Sequence, residues 1–210
     1  MPSDLQVSNI KDLTGSNTGL SIASDGQITV NQNNPTITLG SNATGFTGIK
    51  NIDVWQVDDD LSGNQTPIPY SSWQRSTDAT GGANLGTGMT LTDVSSGGVF
   101  TFPTTGIWEV YCNFQYVIDS DNRYVFQYVQ VANDGTTGTF SDRCENGAFI
   151  EHSYGHTYAN SQTKVILDVT TSGTSGKAVK FAVTWQNSGN MRGTTGRGES
   201  CVYFTRLGDT

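Results

Sequence analysis

An all-β fold is predicted by the composition of this chain, by its alternating apolar residues and by its turn residues. Thr, Gly, Ser and Asn supply 90 of the 210 residues, a mixture that favours strands and turns over helices. The clearest alternation runs through residues 98–118, where a Pro-Thr-Thr-Gly corner at 103–106 separates two strands. Such a corner suits proline, which cannot donate to a strand ladder, and glycine, which tolerates positive φ.

The second of these strands predicts which side chains face the core. Apolar and aromatic residues occupy its alternate positions, and Glu109, Asn113 and Gln115 lie between them. Alternation with a period of two over this length indicates a strand with one buried face. The predicted inward residues are Trp108, Val110, Cys112, Phe114 and Tyr116.

About ten strands are predicted in residues 49–210, separated by loops that contain Gly, Asn, Asp or Ser. Short strands at this spacing favour an antiparallel jelly-roll sandwich. No repeat of 20–50 residues is present, which argues against a propeller or a solenoid. The predicted strands are 52–57, 68–75, 89–92, 99–102, 107–118, 123–132, 148–152, 158–169, 178–186 and 201–207.

The aromatic residues divide the chain into an arm (1–48) and a head (49–210). All 21 of them lie at or after Phe46. The arm contains short apolar pairs, 20/22, 28/30 and 37/39, with turn residues between them, which predicts an extended β/turn segment. Its few apolar side chains bury too little surface to offset the entropy of ordering the segment alone. We therefore expect the arm to attach to other chains, with four apolar residues near its start as attachment candidates: Leu5, Val7, Ile10 and Leu13.

Charge and cysteine content exclude several classes of partner. The formal net charge is -8 and the 11 Lys and Arg residues are scattered, so no nucleic-acid partner is expected. No apolar run is long enough for membrane insertion, and no basic segment followed by an apolar run opens the chain, so synthesis in a cytoplasm is expected. Cys112, Cys144 and Cys201 are odd in number and widely spaced, which predicts buried free thiols.

Motifs for catalysis and metal binding are absent or weak, so no enzyme activity, cofactor or metal is predicted. His152 and His156 lack a suitably spaced third zinc ligand, and a polar loop is the preferred interpretation. The acids at 58–60 and 119–121 could supply calcium ligands, although solvated turns are preferred there. Nucleophile elbows and phosphate-binding glycine loops are missing. The paired carboxylates of a glycosidase stay an open alternative, because sequence spacing does not give their spatial separation.

The centre and the end of the head carry a family resemblance. A strand ending in Phe100-Thr-Phe-Pro, a corner with Gly106, and then Ile107 and Trp108 resemble the centre of the complement component 1q/tumour necrosis factor-like jelly roll. The last predicted strand, 201–207, resembles the final strand of that family. The resemblance covers residues 50–210 and implies a homotrimeric, non-enzymatic head for recognition or for structure.

Four aromatic residues are candidates for the threefold axis that this resemblance implies. Tyr111 lies opposite the inward residues of its strand, and Tyr124, Phe126 and Tyr128 share one face of the next strand. If the valines that alternate with these three face the core, the three aromatic side chains face outward; the inverted assignment stays open. Because inner-sheet aromatics pack around the axis in trimers of this family, a Tyr128→Arg substitution is expected to yield monomers or insoluble protein.

Short segments at the two ends resemble small structural proteins of marine tailed bacteriophages. They are residues 5–15, the Ser-Asp-Gly turn at 24–26 and residues 204–210. The resemblance implies a virion protein, made in the host cytoplasm: a trimeric fibre, spike or capsid decoration. Its arm would bind other virion proteins of the capsid or tail, and its outward head would contact a host glycan or protein. Two alternatives are a free carbohydrate-binding or cell-surface recognition module and a polysaccharide-cleaving spike.

Overall fold

A computed structural model describes residues 49–77, 84–95, 97–118, 122–151, 155–194 and 198–210, and three strands of the N-terminal part. Apart from one short 3₁₀ turn, Tyr70–Ser72, the regular structure in these residues is all β. In this part of the chain, no helix has the length and apolar character of a membrane span. Two compact units divide the chain, Met1–Gly45 and Phe46–Thr210.

The N-terminal unit contains a small antiparallel sheet. Its strands β1 (Asn9–Lys11), β2 (Thr18–Ile22) and β3 (Ile28–Val30) lie in the order β1-β2-β3. The strands predicted at 20/22 and 28/30 are thus confirmed. Of the attachment candidates, Ile10 lies in β1 opposite Leu20 of β2. Leu5, Val7, Leu13 and the pair 37/39 lie outside the described residues.

The head is a sandwich of two antiparallel sheets. The five-stranded sheet has the order β11-β10-β13-β8-β7, and the seven-stranded sheet has the order β5-β14-β9-β15-β4-β6 with β12 on the other side of β9. The strands of the head are β4 (Asn51–Val57), β5 (Asp59–Ser62), β6 (Trp73–Arg75), β7 (Thr90–Val94), β8 (Gly97–Thr101), β9 (Gly106–Ile118), β10 (Asn122–Ala132), β11 (Ser141–Ile150), β12 (Thr157–Val169), β13 (Ala178–Trp185), β14 (Asn190–Thr194) and β15 (Cys201–Gly208).

The path of the chain between the sheets is that of a jelly roll. The chain crosses from one sheet to the other between β6 and β7, β8 and β9, β9 and β10, β11 and β12, β12 and β13, and β13 and β14. Within the five-stranded sheet, β7 pairs with β8 and β10 pairs with β11 as consecutive strands. The predicted all-β jelly-roll sandwich is confirmed, and the crossing between β8 and β9 lies at the predicted corner.

The core lies between the two sheets and follows the predicted alternation. The five inward residues predicted on β9 are all fully buried. On β13 the alternate residues Val179, Phe181, Val183 and Trp185 are also buried. Phe181 packs beside Phe100 of β8. Phe100 is the centre of an aromatic cluster, with ring centroids 5.2–5.8 Å from those of Trp55, Trp73, Phe181 and Phe204.

Two predicted strands have different bounds in the structure. The segment predicted as a strand over 68–75 begins with the 3₁₀ turn and forms a strand only at Trp73–Arg75. Pro67 and Pro69 cannot donate ladder hydrogen bonds there. The strand predicted over 148–152 is β11, which begins at Ser141. Its first residues are polar on both faces because β11 is an edge strand.

Two short polar strands, β5 and β14, were not predicted. They pair with each other, and β14 also pairs with the last residues of β9. The acids at 58–60 are consequently not all turn residues, because Asp59 and Asp60 lie in β5. Asp60 accepts a hydrogen bond from the Gly193 amide and forms an ion pair with Arg192, with an Nη1–Oδ2 distance of 2.8 Å.

A buried glutamine connects the two sheets across the core. Gln127 of β10 is fully buried among apolar residues. Its amide nitrogen donates to the Ser161 carbonyl and to the Tyr116 hydroxyl, and its oxygen accepts from the backbone and the hydroxyl of Thr163. Because a buried amide without partners would cost a large desolvation free energy, these contacts hold β12 of one sheet against β10 of the other.

A Gly106→Ala substitution is expected to destabilise the head by about 1–3 kcal/mol. Gly106 has a φ of 136°, and a methyl group there would overlap the carbonyl oxygen of Gly208. The measurement is the urea midpoint of the purified chain. Gly208→Ala is the matched control because Gly208 has open space around it; equal midpoint losses in the two variants would contradict this explanation of the corner.

Candidate functional site

The outer face of the seven-stranded sheet carries an exposed aromatic and aliphatic surface. Tyr111 of β9 and Tyr203 of β15 are direct cross-strand partners, and their ring centroids lie 5.7 Å apart. On the other side of β9, Lys164 of β12 lies opposite Tyr111, and Ile166 follows it on the same face with 59% of its surface exposed. We call Tyr111, Tyr203 and Ile166 the tyrosine face.

The polar side chains around the tyrosine face are paired with one another. Lys164 Nζ lies 3.1 Å from Glu109 Oε2, and Gln162 donates its amide to Asn113 Oδ1 at 3.3 Å. Groups that already have partners lose less free energy when a second surface removes their water. This surface is therefore suited to burial against another protein surface.

The two tyrosines of this face stay neutral over the physiological pH range. A hydrogen bond between Tyr203 Oη and Cys201 Sγ, at 3.3 Å, and then burial raise the pKa of Tyr203 to about 12. Burial is also the main cause that raises the pKa of Tyr111. A neutral phenol is less costly to desolvate than a phenolate.

The three aromatic residues predicted on one face of β10 do face outward. Val125, Val129 and Val131 are buried in the core, which settles the orientation left open by the sequence. Tyr124, Phe126 and Tyr128 form a row with centroid separations of 4.9 and 6.4 Å. Gly147 of β11 lies opposite Phe126, and the ring occupies the space of a side chain there. We call these three the β10 aromatic row.

The structure separates Tyr111 from the β10 aromatic row, so the four trimer-axis candidates do not form one surface. Because the chain crosses the sandwich between β9 and β10, outward positions on these two strands point to opposite sides of the head. Tyr203 and Ile166, which accompany Tyr111 instead, were not selected from the sequence. Their strands were predicted, but alternation does not show which strands become neighbours.

The cysteines are free thiols with different degrees of burial. Cys112 and Cys201 are buried and Cys144 is half-buried. Burial raises the pKa of the Cys112 and Cys201 thiols, which keeps them protonated and weakly nucleophilic. His156 is exposed, whereas His152 lies outside the described residues. Within the described ranges no three His, Cys, Asp or Glu side chains are placed to share a metal ion.

An ion pair that was not predicted joins the buried Asp53 of β4 to the partly exposed Arg75 of β6. Asp53 is 1% exposed and accepts hydrogen bonds from Trp55 Nε1 at 2.8 Å and from the Met89 amide at 2.6 Å. Arg75 Nε lies 3.1 Å from Asp53 Oδ1, and its guanidinium also lies over the Trp55 ring. These internal donors occupy the carboxylate, which assigns Asp53 a structural role.

Solved structures similar to this chain are jelly-roll proteins of the tumour necrosis factor kind. One is the Eiger TNF of S. frugiperda, with 13% identity and a TM-score of 0.49 over 76% of this chain and 93% of that chain. Another is murine APRIL at pH 8.5, with 14% identity and a TM-score of 0.45 over 75% of this chain and 98% of that chain. The likeness concerns the fold alone. No family model and no curated protein matches the chain.

Proposed function

We propose that this chain is a non-enzymatic structural protein of a bacteriophage particle. Three copies form a fibre, spike or capsid decoration, the N-terminal arm binds capsid or tail proteins, and the head faces outward toward a host surface. The tyrosine face is the observation that supports trimer formation. The virion assignment is supported by the resemblance of residues 5–15 and 204–210 to phage structural proteins.

The tyrosine face is better suited to self-association than the β10 aromatic row is. Its neighbouring charges, Lys164 and Glu109, are paired with each other, whereas the exposed Glu145 lies opposite Tyr128 beside the row. Exposed apolar surface of this kind marks protein interfaces. Repetition of such a contact around a threefold axis closes into a ring and leaves no copy with an unsatisfied surface.

A non-enzymatic role is supported by the acids nearest to a pocket on the head. Asp60 and Glu199 contact the same guanidinium, that of Arg192, at 2.8 and 3.6 Å. The Thr194 hydroxyl donates to Glu199, and the Gly193 amide donates to Asp60. Both carboxylates are therefore engaged by donors of the fold itself, as expected of groups with a structural role.

An Ile166→Arg substitution is expected to convert trimers into monomers. Each trimer would bury three added guanidinium groups in the contact, where the adjacent carboxylate, Glu109, is already paired with Lys164. The measurement is the mass of the intact chain by sedimentation equilibrium, with circular dichroism to confirm that the variant is folded. Because Ile166 is largely exposed in one copy, the variant should stay folded as a monomer, while it loses the stabilisation that the wild type gains from assembly.

Tyr128→Arg is the matched substitution on the opposite side of the head. With the axis on the tyrosine face, this variant stays trimeric. Monomers from Tyr128→Arg and trimers from Ile166→Arg would place the axis on the β10 aromatic row instead. If both variants stay trimeric, neither surface lies at the threefold axis.

The virion assignment has its own test. Particles produced from the viral genome that encodes the chain, purified to constant buoyant density, should contain its peptides in a fixed ratio to the major capsid protein. A chain that is found only in the lysate, outside such particles, would contradict the assignment and favour a free recognition module.

A further inference from the structure

A pocket of about 410 Å³ lies over the end of the seven-stranded sheet. Its floor includes Ser62, Asn190, Val117 and Tyr158, which are successive cross-strand partners on β5, β14, β9 and β12. Because cross-strand partners point to the same side, this row of four side chains spans about 14 Å across one sheet face. The strands on which they lie also form the wall of the core, so the row is rigidly supported.

The pocket combines an apolar wall with several hydrogen-bonding groups. The Tyr158 ring is 56% exposed and stands beside the buried Val117. The polar side is formed by Ser62, Asn190 and His156. The Ser62 hydroxyl donates to Asn190 Oδ1 at 2.6 Å, which orients this amide and leaves its nitrogen to donate elsewhere.

The charges of the pocket favour an uncharged ligand. Arg192 also lines it, but its guanidinium lies between the carboxylates of Asp60 and Glu199. An acidic ligand would therefore meet no net positive charge. A cation would have to compete with Arg192 for Asp60, whose two oxygens accept from Arg192 and from the Gly193 amide.

We propose that this pocket binds one ring of a neutral glycan. The apolar CH face of a pyranose would pack on the exposed ring of Tyr158, and its hydroxyl groups would pair with Asn190 and Ser62. The volume lies within the range of small-molecule sites, in which an apolar wall and a few convergent polar groups give orientation. The inference deepens the proposed function. It rests on that function in one respect only, namely that the glycan belongs to a host surface.

Saturation-transfer NMR on the full chain tests the proposal. The probes are the methyl glycosides of galactose, N-acetylglucosamine and fucose as neutral sugars, and those of sialic acid and glucuronic acid as acidic ones. At least one neutral glycoside should receive saturation and the acidic ones should not. Tyr158→Ala should weaken binding of that glycoside about tenfold by removing the stacking surface, and Asn190→Ala should also weaken it.

Tyr124→Ala is the matched control, because Tyr124 is an exposed tyrosine on the other sheet, and it should bind like the wild type. Three results would overturn the proposal: no transfer to any neutral glycoside, equal transfer to the acidic glycosides, or loss with Tyr124→Ala but not with Tyr158→Ala. The presence or absence of the chain in purified particles distinguishes a failure of this inference from a failure of the proposed function. A chain that binds the glycoside but is missing from particles contradicts only the virion role.

Discussion

A Phe100→Ala substitution should lower the free energy of unfolding of the head by about 3–5 kcal/mol. Phe100 is fully buried, and four aromatic rings surround it with centroids within 5.8 Å. They come from strands of both sheets, so the cavity would lie at the centre of the sandwich. Because the rings are large and their backbones are fixed in ladders, the site can collapse only partially. The measurement is chemical denaturation followed by tryptophan fluorescence.

Phe149→Ala is the control for this prediction. Phe149 is 86% exposed on β11, so its removal should change the free energy of unfolding by no more than about 0.5 kcal/mol. A similar loss of stability in both variants would mean that Phe149 is buried in solution, for example against a second copy. A small loss for Phe100→Ala would contradict the central packing of the aromatic cluster.

Deleting residues 1–45 should leave a folded head that no longer enters particles. The core cluster described in the head consists of residues after position 46, so the variant keeps every residue of that cluster. The arm, in contrast, carries the segment that we propose to bind capsid or tail proteins. The measurement is the copy number of the chain in purified particles, compared with the melting temperature of the isolated variant.

A full-length variant controls for the loss of chain length in this deletion. Leu5, Val7, Ile10 and Leu13 are all changed to serine, which removes apolar surface but keeps the arm. If these residues make the attachment, the variant should be as depleted from particles as the deletion. Normal incorporation of the deleted chain would show that the arm is not the anchor.

The strands that could be predicted from sequence are those with one face in the core. On β9 and β13 the inward residues are buried by the opposite sheet, whereas the polar residues between them, such as Glu109 and Lys180, are partly solvated. β5 and β14 were missed since they are short, polar, and pair near the end of a sheet. The position of β14 is determined by its pairing with β9, and that of β5 by its pairing with β14. Neither pairing produces a pattern in the residues of these two strands.

The orientation of β10 shows a second limit of sequence patterns. Valines and aromatic residues alternate along it, so both of its faces are apolar and period-two reasoning does not choose between them. The structure buries the valines and also Gln127, a polar residue whose partners lie on β9 and β12. Such partners are remote in sequence and become visible only when the strands are assembled.

The candidate surfaces illustrate the same point. The outward direction of Tyr111 followed from alternation, but its neighbours Tyr203 and Ile166 depend on which strands flank β9. The row from Ser62 to Tyr158 includes Asn190, which lies 128 positions from its neighbour Ser62 in sequence. No spacing rule connects these positions, because the crossings between the two sheets bring them together.

A density map of the intact particle tests the central claim most directly. The account predicts heads grouped in threes, with their tyrosine faces turned toward a common axis and residues 1–45 in contact with the shell or the tail. Single heads, or heads that touch the particle through their own loops while residues 1–45 point away from it, would contradict it.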